Sequence, residues 1–225
     1  MKIKVSVPAT SANIGSGFDA LGLAVTLYNT VTFEESDHLD ISAADGTRIP
    51  RGESNLVYRS AKGLFDKVGK TMPPLKLDVH GSLCFAAIVP DYKLLTEAAR
   101  AALPKEVTHK DAVYNLSRAA LIPAAFCEGR HDLLAIATED KLHQPYRMPL
   151  MPGSKEAFAL AKQCGAKAVY VSGAGSTVMA VAERADAEGF YKGLETGLEQ
   201  LEGLDGCEAF TLLRLDADNT GATVE

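Results

Sequence analysis

The chain of 225 residues is predicted to form an α+β protein, and three patterns carry that expectation. Alternating or continuous apolar runs read as strands towards both ends of the sequence. Apolar residues spaced by three and four read as helices between them, and a glycine or proline closes most of the helical runs. Apolar residues make up 47 % of the chain and charged residues 23 %, ordinary values for a folded protein with a core. The length allows one large domain or two small ones.

Ile3, Val5 and Val7 alternate with Lys2, Lys4 and Ser6, which predicts a half-buried strand ended by Pro8. Ala9 to Asp19 is rich in Ser, Thr, Asn and Gly and predicts a structured loop, after which Leu21 to Glu34 resumes as a strand. Asp40-Ile41-Ser42-Ala43 predicts a shorter strand before a turn at Asp45-Gly46. Ser54 or Asn55 can cap a helix whose apolar face is Leu56, Val57, Ala61, Leu64, Phe65 and Val68, with Gly69 beyond its end. Pro73-Pro74 forces extension, Leu75 to Val79 alternates again, and His80-Gly81-Ser82 turns the chain.

Leu83 to Val89 is apolar almost without interruption, as suits a central strand buried on both faces. Thr96 to Leu103 predicts a short helix stopped by Pro104. Asp111 to Cys127 predicts one long helix with Val113, Leu116, Ala120, Leu121 and Ala124 on its apolar side. Ser154 to Cys164 is helical, with Gly165 in the terminating position. Val169-Tyr170-Val171 and Val178-Met179-Ala180-Val181 are strands, Ala187 to Leu201 is a helix, and Ala209 to Leu215 is a last strand. From residue 83 the order is strand, helices, strand, strand, helix, strand. That is the split βαβ, ferredoxin-like arrangement, and it assigns residues 83–225 to one domain and 1–82 to another.

A net charge of −6 argues against a nucleic-acid surface, which needs clustered Lys and Arg. Apolar runs are too short to span a bilayer, and Met1 to Val5 opens as a strand rather than a signal peptide, so no membrane partner is expected and the protein is expected in the cytoplasm. Cys84, Cys127, Cys164 and Cys207 form no CxxC pair and sit in apolar stretches, as small buried hydrophobes of a reducing compartment do. None of the five His residues lies at zinc-ligand spacing, so no metal site is expected.

Four places can carry chemistry. The segment Pro8 to Asp19 sets Asn13 and Asp19 among glycines between two strands. They can line a small polar ligand, or bond only their own backbone. Ser172-Gly173-Ala174-Gly175-Ser176-Thr177 can turn backbone N–H groups towards an anion, or form a tight hairpin and nothing more. It does not precede a helix, so it is neither a dinucleotide fingerprint nor a Walker loop. Arg118 and Arg147 can each clamp a carboxylate or phosphate, or pair with an acid inside the fold. His143 can act as a base, or hydrogen-bond a loop backbone.

In order along the chain, residues 7–24 (Val-Pro-Ala-Thr-Ser-Ala-Asn-Ile-Gly-x-Gly-Phe-Asp-x-Leu-Gly-Leu-Ala), 55–59 (Asn-Leu-Val-Tyr-Arg), 112–120 (Ala-Val-Tyr-Asn-Leu-Ser-Arg-Ala-Ala), 143–147 (His-Gln-Pro-Tyr-Arg) and 172–177 resemble the homoserine kinase family, a branch of the GHMP small-molecule kinases. The resemblance implies ATP-dependent phosphorylation of the side-chain hydroxyl of L-homoserine on the way to threonine, with ATP and Mg as cofactors. It implies that Asn13 and Asp19 hold the amino and hydroxyl end of homoserine. Arg118 and Arg147 would act as catalytic and substrate-binding groups on its carboxylate or on the transferring phosphate. Asn55 would lie beside the nucleotide, and Gly173, Ala174 and Gly175 would buttress its phosphates.

The family also carries a Pro-x-x-x-Gly-Leu-Gly-Ser-Ser-Ala-Ala phosphate loop, followed by helices that bear a magnesium-binding Glu. Neither stands in this sequence, where His80-Gly81-Ser82 leads straight into Leu83. The implied fold is a truncated GHMP-kinase N-terminal sheet unit joined to the ferredoxin-like domain, and the implied turnover is small. A non-catalytic, homoserine-binding remnant is the alternative. Loss of the covering helices would expose positions such as Val5, Val25 and Leu77 and invite closure by another copy as a homodimer.

Overall fold

The structure, a computed structural model, describes residues 2–34, 82–201, 203 and 206–224. Packing divides the chain into two compact units, one of Met1–Ser6, Thr30–Lys76 and Val224–Glu225, the other of Val7–Asn29 and Leu77–Thr223. The described residues of the first are strand ends, tied by a 3.2 Å hydrogen bond between the hydroxyls of Ser6 and Thr30. The strands expected at residues 40–43 and 75–79 and the helix between them, with Asn55 and Leu77, lie outside the described residues.

Strands β1 (Lys2–Ala12), β2 (Gly22–Glu34) and β7 (Thr223–Val224) form a sheet in the order β2-β1-β7. β1 runs straight through Pro8, which was expected to end it. The φ of proline suits extended backbone, and the residue forfeits only one N–H.

The larger unit is built on β3 (Leu83–Pro90), β4 (Ala168–Val171), β5 (Val178–Glu183) and β6 (Phe210–Leu215), all antiparallel in the order β4-β5-β3-β6. With its crossovers this is the split βαβ sandwich that the residue pattern predicts. β3 lies inside the sheet and sends alternate side chains to two cores. Cys84, Ala86 and Ile88 pack with Ala157 and Ala161 of helix α6 (Ser154–Gln163) and with Phe190 and Leu194 of α7 (Ala187–Glu199). Leu83, Phe85 and Ala87 pack on the opposite face with Ile14, Leu23, Val25, Phe126 and Leu134. Val25, expected to be exposed, is therefore a core residue at 4 % exposure.

Preceding α6 in the chain are α1 (Thr96–Ala101), α2 (His109–Ala119), α3 (Leu121–Cys127), α4 (Leu134–Ala137) and α5 (Gln144–Arg147). The single helix expected from Asp111 to Cys127 is broken at Ala120. Pro123 explains the break, because its ring would meet the carbonyl of Ala119 four residues back. The break also changes which side chains face inward. Ile122, Ala125 and Phe126 are buried, whereas Val113 and Leu116, placed on the apolar side from the sequence, are 50 % and 73 % exposed. The buried residue of α2 is a polar one, Asn115.

Cys84 and Cys207 are buried and Cys164 half-buried, all with free thiols whose pKa burial pushes up. No helix among the described residues is long and apolar enough to cross a membrane.

Candidate active site

The first wall of the site is the turn after β1. Asn13, Ile14 and Gly15 take φ values of 77°, 44° and 61°, and Asp19 takes 53°. Glycine adopts such angles freely and Asn or Asp tolerate them, but a β-branched Ile does so only when its surroundings hold it there. Here they do. The Asn13 N–H donates to the Leu21 carbonyl at 2.8 Å, and its Nδ2 donates to the Gly173 carbonyl at 2.5 Å. Its Oδ1 accepts from the Asp19 N–H at 3.0 Å. The Ser16 hydroxyl donates to the Ala137 carbonyl at 2.6 Å. Gly15 is pressed so close to Thr138 that a Cβ would stand 2.1 Å from the Thr138 carbonyl oxygen.

The second wall is the segment from Asp140 to Arg147. The Asp140 side chain has no exposed surface. Its carboxylate accepts from the N–H groups of Leu142, His143 and Gln144 at 3.0, 2.9 and 2.6 Å, and from Asn115 Nδ2 at 2.6 Å. Asn115 Oδ1 accepts from the Lys141 N–H at 2.8 Å, and Nδ2 also reaches the Ser16 carbonyl at 3.5 Å. The turn so fixed leads into α5, where Pro145 fits the first helical turn because no N–H is needed there. Gln144 Oε1 anchors this wall to β4 by accepting from the Val171 N–H at 2.8 Å.

His143 joins the walls. Its ring stacks on Phe18 with centroids 4.8 Å apart. Arginine only donates and a carbonyl only accepts, so the partners fix the neutral tautomer: Nε2–H donates to the Gly15 carbonyl at 2.9 Å and Nδ1 accepts from Arg147 Nη1 at 3.3 Å. Burial lowers the His143 pKa and the Arg147 charge lowers it further, against the opposing pull of Asp140 and the Gly15 carbonyl.

Arg147 is 2 % exposed. Nη1 donates to the Gly173 carbonyl at 3.0 Å and Nε to the Ala99 carbonyl at 3.3 Å, and the guanidinium carbon lies 5.1 Å from the Phe18 ring centre. None of the ion pairs among the described residues includes it. Burial lowers its pKa, while the charges of Asp19 and Asp140 favour the cation. A buried cation whose hydrogen-bond partners are all neutral is only partly offset by carboxylates at longer range, and a ligand anion relieves the remaining cost.

The structure thus brings Asn13, Asp19, Gly173 and Arg147 together. Arg118 goes elsewhere: Nε donates to Glu139 Oε2 at 2.9 Å and Nη1 to the Tyr114 carbonyl at 3.3 Å, with the guanidinium 3.3 Å above the Tyr114 ring. The Tyr114 hydroxyl donates to the same Glu139 oxygen at 2.5 Å. Of the two alternatives for Arg118, an internal acid partner is the one found. Tyr114 and then Arg118 hold the Glu139 carboxyl below its usual pKa.

In the hairpin of residues 172–177 two amides are engaged. The Gly173 N–H donates to the Ala12 carbonyl at 3.0 Å and the Gly175 N–H to the Ser172 carbonyl at 2.9 Å, which leaves Ala174 between two engaged amides. What the hairpin contributes is the Gly173 carbonyl, shared by Asn13 and Arg147. Asn55 lies outside the described residues. Phe18, Asn115, Asp140 and Gln144 escaped the sequence reading. The available signals were an Asn inside an amphipathic helix and an Asp five residues before a proline.

The family model "GHMP kinases C terminal" matches residues 122–199. Together with the split βαβ sandwich, that match defines the class of this part of the chain: a GHMP-kinase C-terminal domain. The homoserine kinase of Clostridium beijerinckii is 32 % identical over 305 residues, covering 99 % of this chain and 98 % of the relative. That of Caldicellulosiruptor bescii is 31 % identical over 300 residues, covering 99 % and 96 %. The chain belongs to the homoserine kinase family. Among solved structures, homoserine kinase from Cytophaga hutchinsonii shares the fold with a TM-score of 0.85 at 20 % identity, covering 100 % of this chain and 97 % of that one. A putative homoserine kinase from Listeria monocytogenes shares it with a TM-score of 0.69 at 23 % identity, each chain covered to 99 %.

Proposed function

We propose that the chain is a homoserine kinase by descent that binds L-homoserine between residues 13–19 and 140–147 and phosphorylates its side-chain hydroxyl at a low rate. The observation that carries this proposal is Arg147, a buried guanidinium whose partners are neutral. The homoserine carboxylate supplies the missing anion, with the specificity of a charge-assisted bond. Asp19 stands exposed at the lip and takes the ammonium group. Asn13, engaged at both ends of its amide, shapes the pocket through Asp19 and Gly173. Arg118 joins the carboxylate only by leaving Glu139.

The family uses Mg-ATP as its phosphoryl donor, in the cytoplasmic route to threonine. The described residues supply little for it: no group of three acidic, His or Cys side chains is placed to hold a metal, and the Gly173 and Gly175 amides are engaged. Two facts support a low rate. The sequence lacks a Gly-Leu-Gly-Ser-Ser stretch. The alignment to the C. beijerinckii relative runs over 305 residues whereas this chain has 225, so about 80 aligned positions lack a counterpart here. Loss of one preorganised donor typically lowers a rate by about 10²–10³. In this proposal residues 1–82 are the shortened nucleotide-side domain and 83–225 the ferredoxin-like one.

The engaged hairpin amides favour a second reading, a homoserine-binding remnant without transfer. Coupled ADP release with homoserine and Mg-ATP, run beside homoserine calorimetry, separates the two. Heat with slow turnover is the expected result, heat without turnover selects the remnant, and no heat at all refutes both.

A further inference from the structure

The Asp140 side chain offers a ligand no exposed surface, yet the turn of the second wall is built on it. Its carboxylate holds three consecutive backbone N–H groups, those of Leu142, His143 and Gln144, and so sets the turn from which the His143 ring projects. That ring in turn donates to the Gly15 carbonyl of the opposite wall and accepts from Arg147. Asn115 ties the same carboxylate to the Lys141 N–H and the Ser16 carbonyl. The Asp140 side chain has no exposed surface, and a carboxylate in such a place is tolerated because four donors converge on it.

We infer that Asp140, braced by Asn115, is a positioning residue for the homoserine site: it orients His143, and through His143 it fixes both the Arg147 guanidinium and the Gly15 turn. The role is distinct from fold stability, because a loosened His143 would leave the chain folded with its guanidinium misaimed. A 1 Å error in such a group weakens a charge-assisted bond sharply. The inference rests on the proposed homoserine reading, and its test separates the two.

The test is Asp140→Asn, which keeps the shape but turns an NH₂ group towards backbone donors. Leu194→Ala serves as the control, since Leu194 is fully buried in the core on the opposite face of the sheet. Both variants should lower Tm. Only Asp140→Asn should raise the homoserine Kd, by about tenfold, and only there should nitrogen NMR show His143 losing its single Nε2–H tautomer. Equal Kd values for Asp140→Asn and the parent, or equal losses in both variants, would overturn the inference. Should Asp140→Asn not fold, Asn115→Ser removes the Lys141 contact and the brace on the carboxylate but leaves the three backbone N–H groups held by Asp140, and should raise Kd about threefold; no change there is equally fatal. If the parent protein binds no homoserine, the functional proposal fails, and the His143 tautomer in the variants still decides the positioning role.

Discussion

Gly15→Ala tests the apposition of the two walls most directly. At the present backbone the new Cβ would lie 2.1 Å from the Thr138 oxygen, 2.7 Å from its carbonyl carbon and 2.8 Å from its Cα. All three are backbone atoms, so no side chain can swing aside. The φ of 61° adds about 1 kcal/mol for any residue with a Cβ. Ordinary contact requires the walls to part by about 1 Å. That shift carries the His143–Gly15 bond of 2.9 Å and the Ser16–Ala137 bond of 2.6 Å beyond the reach of a hydrogen bond, which is lost by about 3.6 Å. Each of these bonds contributes about 1 kcal/mol, and a buried partner left without one costs about 1–3 kcal/mol. The expected loss is about 3–5 kcal/mol, or roughly 6–20 °C in Tm at the 2–4 °C per kcal/mol usual for chains near this size. Thermal unfolding reads the stability, and homoserine calorimetry on the folded fraction should show binding weakened at least tenfold. A Gly15→Ala protein with parental Tm and Kd would refute the close apposition.

Tyr170 is fully buried and its hydroxyl meets no described residue at good hydrogen-bonding geometry; burial pushes its pKa up to about 12, against a smaller opposing pull from the Ser11 hydroxyl. Tyr170→Phe should therefore leave Tm unchanged or raise it by a few degrees, and a clear fall would show that the hydroxyl is satisfied after all. The folded pKa of His143 is depressed by burial, so its contribution to stability is complete above the unfolded value of about 6.5 and fades as pH falls through the lower folded value. The fall in Tm between pH 8 and pH 5 should be steeper in the parent than in His143→Gln; identical profiles would remove His143 as the cause. Glu139→Gln weakens the internal claim on Arg118. Homoserine Kd should drop severalfold if the guanidinium then turns to the substrate carboxylate, and a rise in Kd would mean that Glu139 serves to aim Arg118.

Much of the ferredoxin-like unit was legible because its pattern is strong. The continuous apolar run at Leu83 could only be an interior strand, and Gly165 with its φ of 95° marks a helix end as a glycine should. The errors share a physical origin. Helical periodicity put Val113 and Leu116 in the core, but a single proline ten and seven residues further on broke the helix, and the buried position of α2 went to Asn115. No local pattern announces that Asn115, because its partner Asp140 lies 25 residues away. The same holds for the hairpin. Its glycines were read for their N–H groups, whereas the fold uses the Gly173 carbonyl, a choice dictated by Asn13, 160 residues away in the chain. Residue types survive in a sequence, but which of their donors and acceptors remain open is settled only by tertiary neighbours.

That distinction bears on what a shortened family member can keep. Recognition of a small amino acid requires one desolvated cation, a carboxylate at the lip and rigid walls, and all of these come from Val7–Asn29 and Leu77–Thr223, a single compact unit. The ties between the walls run within that unit and depend on no nucleotide. Phosphoryl transfer makes a different demand, since little covalent chemistry falls to the protein and rate follows from donors and metal aimed at the phosphoryl oxygens. Two of the hairpin donors, Gly173 and Gly175, are committed to Ala12 and Ser172, and releasing them would unpick hydrogen bonds that hold the turn carrying the Gly173 carbonyl. On the proposed reading the two capacities are physically separable, with binding resting on contacts already made and transfer on contacts that the described residues do not supply.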